Sequence, residues 1–178
     1  EEAVVRMTKA TGLAPLVVAH SMGGLAVRAW LRWRRCELNA GASPSGLAHG
    51  ASGAELPAYL ATCKIITLGT PHHGTALGGM HPALNVQQMH DHSEWVQALA
   101  ASESPAQNSH FICFYSHCDN IVFPASTATL PGADNRHIRA TAHMQLIQSQ
   151  AVFDTVVAHV ADATSARLTD AQAFVPCV

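Results

Sequence analysis

Leu16-Val17-Val18-Ala19-His20-Ser21-Met22-Gly23-Gly24-Leu25-Ala26-Val27-Arg28-Ala29-Trp30 is an apolar, partly β-branched run that passes without a spacer into a helix-like one. The first part follows Gly12 and Pro15 and predicts a buried parallel strand over Leu16 to Ala19. In the second, Leu25, Ala26, Ala29, Trp30 and Trp33 recur at helical spacing and predict a helix from Met22 to about Arg35. Ala19 and Gly23 stand two positions to either side of Ser21. Small residues there are what a sharp strand-to-helix turn requires if a serine hydroxyl is to stand exposed at the top of a sheet. Ala19 occupies the place where glycine is usual, adding one methyl group to a crowded turn. Ser21 is therefore the first candidate nucleophile.

The same pattern repeats downstream. Lys64 to Gly69 reads as a second apolar strand running into Thr70-Pro71-His72-His73-Gly74-Thr75. Phe111 to Ser116 reads as a third, running into His117-Cys118-Asp119-Asn120-Ile121-Val122-Phe123-Pro124. A fourth is predicted near His137 to Thr141, and a closing helix over Met144 to Val160 with Leu146, Ile147, Phe153, Val156 and Val157 on its apolar face. Glu1 to Thr11 reads as a helix, and Cys36 to Thr62, rich in Gly, Ala, Ser and Pro, as a loop with a short helix near Ala54 to Leu60. Strands alternating with helices imply an α/β domain spanning 1–178, its sheet mostly parallel with flanking helices. Polar residues collect at the carboxyl ends of the strands, where open α/β sheets build their sites.

Between Thr75 and about Gln107 the chain makes an excursion that such a sheet does not need. Leu77, Met80, Leu84, Val86, Met89, Trp95, Val96 and Leu99 are spread among polar residues there. That suits a helical cap insertion (about 75–107) over the Ser21 turn and forming an apolar pocket, or equally a packed helix hairpin.

Composition bounds the rest. With 178 residues, 48% hydrophobic and 12% charged, the chain can bury a substantial core. Its formal net charge of -2 makes Arg32, Arg34 and Arg35 a solvated helix end rather than a nucleic-acid site. No apolar run approaches the ~20 residues of a transmembrane helix. The chain opens at Glu1 with no initiating methionine and no secretory signal, so it reads as starting in mid-fold, and its localisation stays open. Five cysteines, 36, 63, 113, 118 and 177, leave at least one unpaired and read as buried thiols more than as a disulfide framework. Among twelve histidines, His72-His73, His81 and His90-Asp91-His92 have side chains that suit zinc, but their spacing matches no H-E-x-x-H arrangement, and no metal or cofactor is expected.

Chemistry-bearing residues fall along the chain in the order Ser21, Asp119, His143, an order that distinguishes one class of serine hydrolase from two unrelated protease classes. With Ala19-His20-Ser21-Met22-Gly23-Gly24, Leu68-Gly69-Thr70-Pro71-His72-His73-Gly74-Thr75, Cys118-Asp119-Asn120-Ile121-Val122-Phe123-Pro124 and Ala142-His143-Met144, the chain resembles the carboxyl-terminal half to two-thirds of a bacterial lipase or esterase of the α/β-hydrolase superfamily. The resemblance implies that Ser21 attacks an acyl ester or lipid, that His143 is the base, that Asp119 orients it, and that the Met22 backbone N–H donates to the oxyanion. His20 would pack behind the turn without a direct chemical role. The bland alternatives are an Asx-type turn at Asp119 with Asn120, and Asp134 as reserve acid or turn residue. His137 and His159 read as lying within regular elements, and Ala142 stands where the family commonly has glycine. The family also has several strands before the elbow and a second oxyanion donor on an early loop. This chain lacks both, so an incomplete fold is expected. The leading function is a carboxylic-ester hydrolase working through an acyl-enzyme. An acyltransferase or thioesterase on the same scaffold, or a non-catalytic truncated module, are the alternatives.

Overall fold

The computed structural model describes residues 2–40, 63–80 and 83–173. Four short strands, β1 (Leu16–His20), β2 (Lys64–Leu68), β3 (Phe111–Tyr115) and β4 (Asp134–His137), form one sheet in the order β1-β2-β3-β4. Every neighbouring pair is parallel, with Val17 beside Ile65, Ile66 beside Ile112 and Phe114 beside Arg136. Parallel pairing requires crossovers: α2 (Met22–Ala40) follows β1, and a 3₁₀ turn, Ala125–Ala128, stands between β3 and β4, while α1 (Glu2–Thr11) precedes β1 and α5 (Gln150–Ala173) follows β4. Between β2 and β3 lie α3 (Leu84–Gln88), α4 (Glu94–Ala101) and two 3₁₀ turns, Ala76–Met80 and Pro105–Asn108.

Strand alternation splits the core into two layers. Ile65, Phe111 and Cys113 point to one face, where Leu31, Leu130, Trp30 and Val4 of α1 cover them. Ile66, Leu68, Ile112 and Phe114 point to the other, under Leu146, Val152 and Val156. The central strands β2 and β3 are buried throughout except at their ends, as a parallel strand covered on both faces must be.

Several expectations need correction. The stretch Leu16 to Ala19 is a parallel strand but not a buried one: only Ala19 is fully covered, and Val18 is 47% exposed. The reason is position, because among the described residues β1 has β2 on one side only. Helix α2 runs past Arg35 to Ala40, and Arg35 is buried rather than solvated. The fourth strand lies earlier than expected and begins at Asp134.

The closing segment is two elements, a 3₁₀ turn over His143–Gln148 and then α5. The tighter winding of the turn shifts the helical phase at Ser149. Val152, Thr155 and Val156 therefore face the sheet, while Ile147, Phe153 and Val157 are exposed. The short helix expected near Ala54 to Leu60 lies outside the described residues, as do His81 and Cys177. Cys63 and Cys113 are buried thiols, which burial pushes up to about 11; Cys36 is half-buried and Cys118 exposed.

Candidate active site

A four-stranded parallel sheet puts the carboxyl ends of all its strands on one edge. Ser21 follows β1, Gly69 follows β2, Asp119 follows β3 and His143 follows β4, so residues far apart in sequence collect there. Ser21 is half-buried with φ 55, a left-handed conformation rare for a residue with a Cβ. The turn is enforced from both sides. The Ser21 N–H donates to the Leu68 carbonyl at 2.8 Å, extending the β1–β2 ladder by one residue, and the Gly24 N–H donates back to the Ser21 carbonyl at 3.1 Å. A Cβ on Gly24 would collide with the Thr70 side chain, so the helix enters this turn only because its third residue is glycine.

Asp119 and His143 are brought together and buried, each side chain 2% exposed. His143 Nδ1 lies 2.8 Å from Asp119 Oδ2. A carboxylate can only accept, so the ring proton sits on Nδ1 and Nε2 is left as the acceptor. The other carboxylate oxygen, Oδ1, accepts the backbone N–H groups of Ile121 and Val122, both at 2.8 Å. The Asx-turn alternative for Asp119 and the contact with His143 thus coexist in one side chain: Oδ1 takes both loop amides and also lies 3.1 Å from His143 Nδ1, while Oδ2 makes the shorter contact with the ring. Burial pushes the Asp119 carboxyl up, but the His143 ring and the two amides outweigh it, and the net direction is below the ordinary carboxylate value.

The pair is held by neighbours to which the sequence analysis assigned no role of their own. Asn120 Oδ1 accepts the His143 backbone N–H at 3.2 Å, fixing His143 to the loop that carries Asp119. The buried Ser116 hydroxyl accepts the N–H groups of Cys118 and Thr141, joining the strand end to both loops. Thr75 Oγ1 donates to the Ile121 carbonyl at 2.8 Å and accepts the Phe123 N–H at 3.0 Å. Gly69 has φ +53, and a Cβ there would stand 3.0 Å from both Asp119 Oδ2 and His143 Nδ1 and 2.9 Å from Leu146. Its glycine identity follows from the pair it passes.

His20 does more than pack behind the turn. Its Nε2 donates to the His143 carbonyl at 3.2 Å and its ring centroid lies 4.6 Å from that of His143. It joins the end of β1 to His143, whereas the Ser21 hydroxyl itself makes no hydrogen bond to His143. Burial, with His143 close by, holds His20 below the usual imidazole value, keeping it neutral.

Behind the site, Arg28 of α2 is 1% exposed and holds Glu103 through Nη2 at 2.9 Å and Nε at 3.1 Å. It also donates to the His72 carbonyl, from Nη1 at 2.6 Å. His72, fully buried and held neutral by burial and the neighbouring cation, places Nε2 3.0 Å from Thr67 Oγ1. This network pins the 69–75 turn to α2. Asp134 does not join the site: it pairs with Arg136 at 2.6 Å on the surface. His137 and His159 lie within β4 and α5. Among the described residues no group of three or more His, Cys, Asp or Glu side chains is arranged to hold a metal ion, and no helix is long and apolar enough to cross a membrane.

The sheet edge thus gathers a serine in a left-handed turn and a buried imidazole held by a carboxylate, the residue types of nucleophilic acyl transfer. No known protein family matches this chain, and no curated protein is significantly similar to it.

Proposed function

We propose that the chain carries the catalytic half of an α/β-hydrolase fold and that its reaction is hydrolysis of carboxylic esters. The buried Asp119–His143 hydrogen bond beside the strained Ser21 turn carries this reading. Ser21 Oγ forms a bond to the acyl carbon as His143 Nε2 takes its proton. The tetrahedral intermediate then expels the alcohol, which leaves with that proton. Water, deprotonated by the same Nε2, attacks the acyl-serine and releases the acid, returning the proton to Ser21. Asp119 keeps the ring in the required tautomer and stabilises its cation. The Met22 N–H, first of α2, points the positive end of the helix dipole at the oxyanion.

The apolar character of the substrate is supported by what stands next to each participant. Met22 after Ser21, Ile121 and Phe123 after Asp119, and Met144 after His143 are all exposed, at 45%, 42%, 60% and 62%. The described residues supply one oxyanion donor of the usual two, and a missing donor costs about 10²–10³ in turnover. Acyl transfer to an acceptor other than water uses the same residues.

The test is covalent labelling. A fluorophosphonate is expected to label Ser21 and to spare Ser21→Ala, and p-nitrophenyl ester turnover is expected to vanish in that variant. Label on another residue, no label, or undiminished turnover in Ser21→Ala rejects the reading.

A further inference from the structure

Arg28, Leu31 and Arg35 line one face of α2 at helical spacing. The helix starts at the carboxyl edge of the sheet, where Arg28 donates to the His72 carbonyl, and Leu31 then packs on Ile65 and Phe111. Arg35, one turn further, therefore stands at the amino-terminal edge, the end away from Ser21. Lys64 opens β2 there, and just before β3 the His110 carbonyl accepts the Ile65 N–H at 3.1 Å. The two arginines are 1% and 5% exposed, yet only Arg28 is answered. Arg35 has no hydrogen-bond acceptor among the described residues, and Glu103, the carboxylate whose charge reaches it, has both oxygens taken by Arg28. Burial accordingly outweighs Glu103 and Cys36 and pulls Arg35 below its ordinary value. A second group is orphaned nearby: His110 Nε2 is buried without a partner among the described residues, and the charges of Arg35 and Lys64 reach its ring. An unbalanced buried cation and an unpaired buried ring nitrogen each cost free energy, and one anion between them relieves both.

We propose that Arg35 and His110 form an anion site at the amino-terminal edge of the sheet and that its ligand is a phosphate group. Arg35 presents a planar fork that takes two oxyanion oxygens side by side. His110, neutral above about pH 4, donates its Nε2–H to a third oxygen. Exposed Lys64 adds the second positive charge that matches a dianion and exceeds what a carboxylate needs. The site lies across the sheet from Ser21, Asp119 and His143 and is independent of the reaction they carry out.

Urea unfolding of the whole chain in chloride, acetate, inorganic phosphate or glycerol 3-phosphate, at equal ionic strength, tests this. A ligand held only by the folded chain raises the urea midpoint with the logarithm of its concentration. Phosphate is expected to raise it and acetate to leave it in place. Arg35→Met is expected to abolish the rise, and Lys64→Gln, at an exposed position, to weaken binding about two- to fivefold, the scale of a single exposed charge. By bringing negative charge to the ring, phosphate is also expected to move the NMR titration of His110 upward and leave that of His92 in place. An equal rise with glycerol 3-phosphate supports a site open to organic phosphates, and a rise with inorganic phosphate alone supports one closed around the free ion. In chloride, Arg35→Met is expected to be no less stable than the parent, because it removes a charge that has no counter-charge. A midpoint that phosphate does not move, or moves equally in Arg35→Met, overturns the site. So does a loss of stability in chloride as large as that of Arg28→Met, which would mean that the protein itself balances Arg35.

Discussion

Asp119 with His143, and Asp91 with His90 and His92, are the same residue types at comparable separations, yet only the first couple is a polarised pair. Asp119 Oδ2 and His143 Nδ1 are 2.8 Å apart and 2% exposed. Asp91 Oδ1 lies 3.2 Å from His90 Nδ1 and 3.8 Å from His92 Nε2, at 34% and 81% exposure for the two histidines. His90 Nδ1 accepts the His92 backbone N–H at 3.2 Å, so it has no proton to give Asp91. Separation alone therefore does not make an acid orient a base. What makes the pair at the sheet edge is two amides fixing the carboxylate, Asn120 fixing the histidine backbone, and a glycine leaving space between them.

The largest effect expected from breaking this contrast is on turnover. Asp119→Asn is expected to lower ester kcat/KM by about 10⁴, the scale seen when the orienting carboxylate of a serine hydrolase becomes an amide. Asp91→Asn is expected to stay within about twofold, as surface substitutions do. Comparable losses in the two variants would erase the distinction.

Stability sharpens the same contrast between buried and exposed pairs. Arg28 and Glu103 are 1% and 4% exposed, whereas Arg34 and Glu37 are 21% and 35%. Removing one partner of a buried pair strands the other charge, so Arg28→Met is expected to cost about 3–5 kcal/mol. Arg34→Met is expected to cost less than about 1 kcal/mol. Urea unfolding decides, and equal costs would mean that water reaches Arg28. Gly69→Ala is expected to cost about 1–3 kcal/mol through its positive φ. Its added methyl meets the Asp119–His143 pair itself, so ester turnover should fall beyond what the unfolded fraction explains.

Much of the frame was legible because its signals are local. β-branched runs ending in polar clusters located β1, β2 and β3 to within a residue, with Ser21 and Asp119 just past the ends of β1 and β3. What failed depended on partners distant in sequence. The exposure of Val18 is set by which strands stand beside β1, not by its own neighbours in the chain. Arg28, Ser116 and Asn120 look like ordinary helix, strand-end and turn residues until the sheet brings Glu103, Thr141 and His143 to them. The phase of α5 was misread because a 3₁₀ turn does not announce its shorter repeat.

The smallest expected effect is the response of stability to acid, and it too separates buried from exposed histidines. Burial lowers His20, His72, His73 and His110 below their usual value of 6.5, with Arg28 adding to it at His72 and His73. For His110, where Arg35 and Lys64 reinforce burial, the value falls to about 4. For each, the unfolded chain takes up a proton between its unfolded and folded values while the folded chain does not. Stability must therefore fall as pH drops from about 6.5 toward 4, by up to 1.36 kcal/mol per pH unit per proton so withheld. Asp119, held below its ordinary value, adds a loss in the same direction once pH passes below about 4. His110 is the clean probe, because its buried Nε2 has no hydrogen-bond partner among the described residues. Urea midpoints at pH 7, 5.5 and 4.5 should show a shallower decline in His110→Gln than in the parent, and an equal decline would reject this role for His110. A parallel shift of the whole His110→Gln curve would mean that its ring contributes by packing on Phe111 and not by resisting protonation.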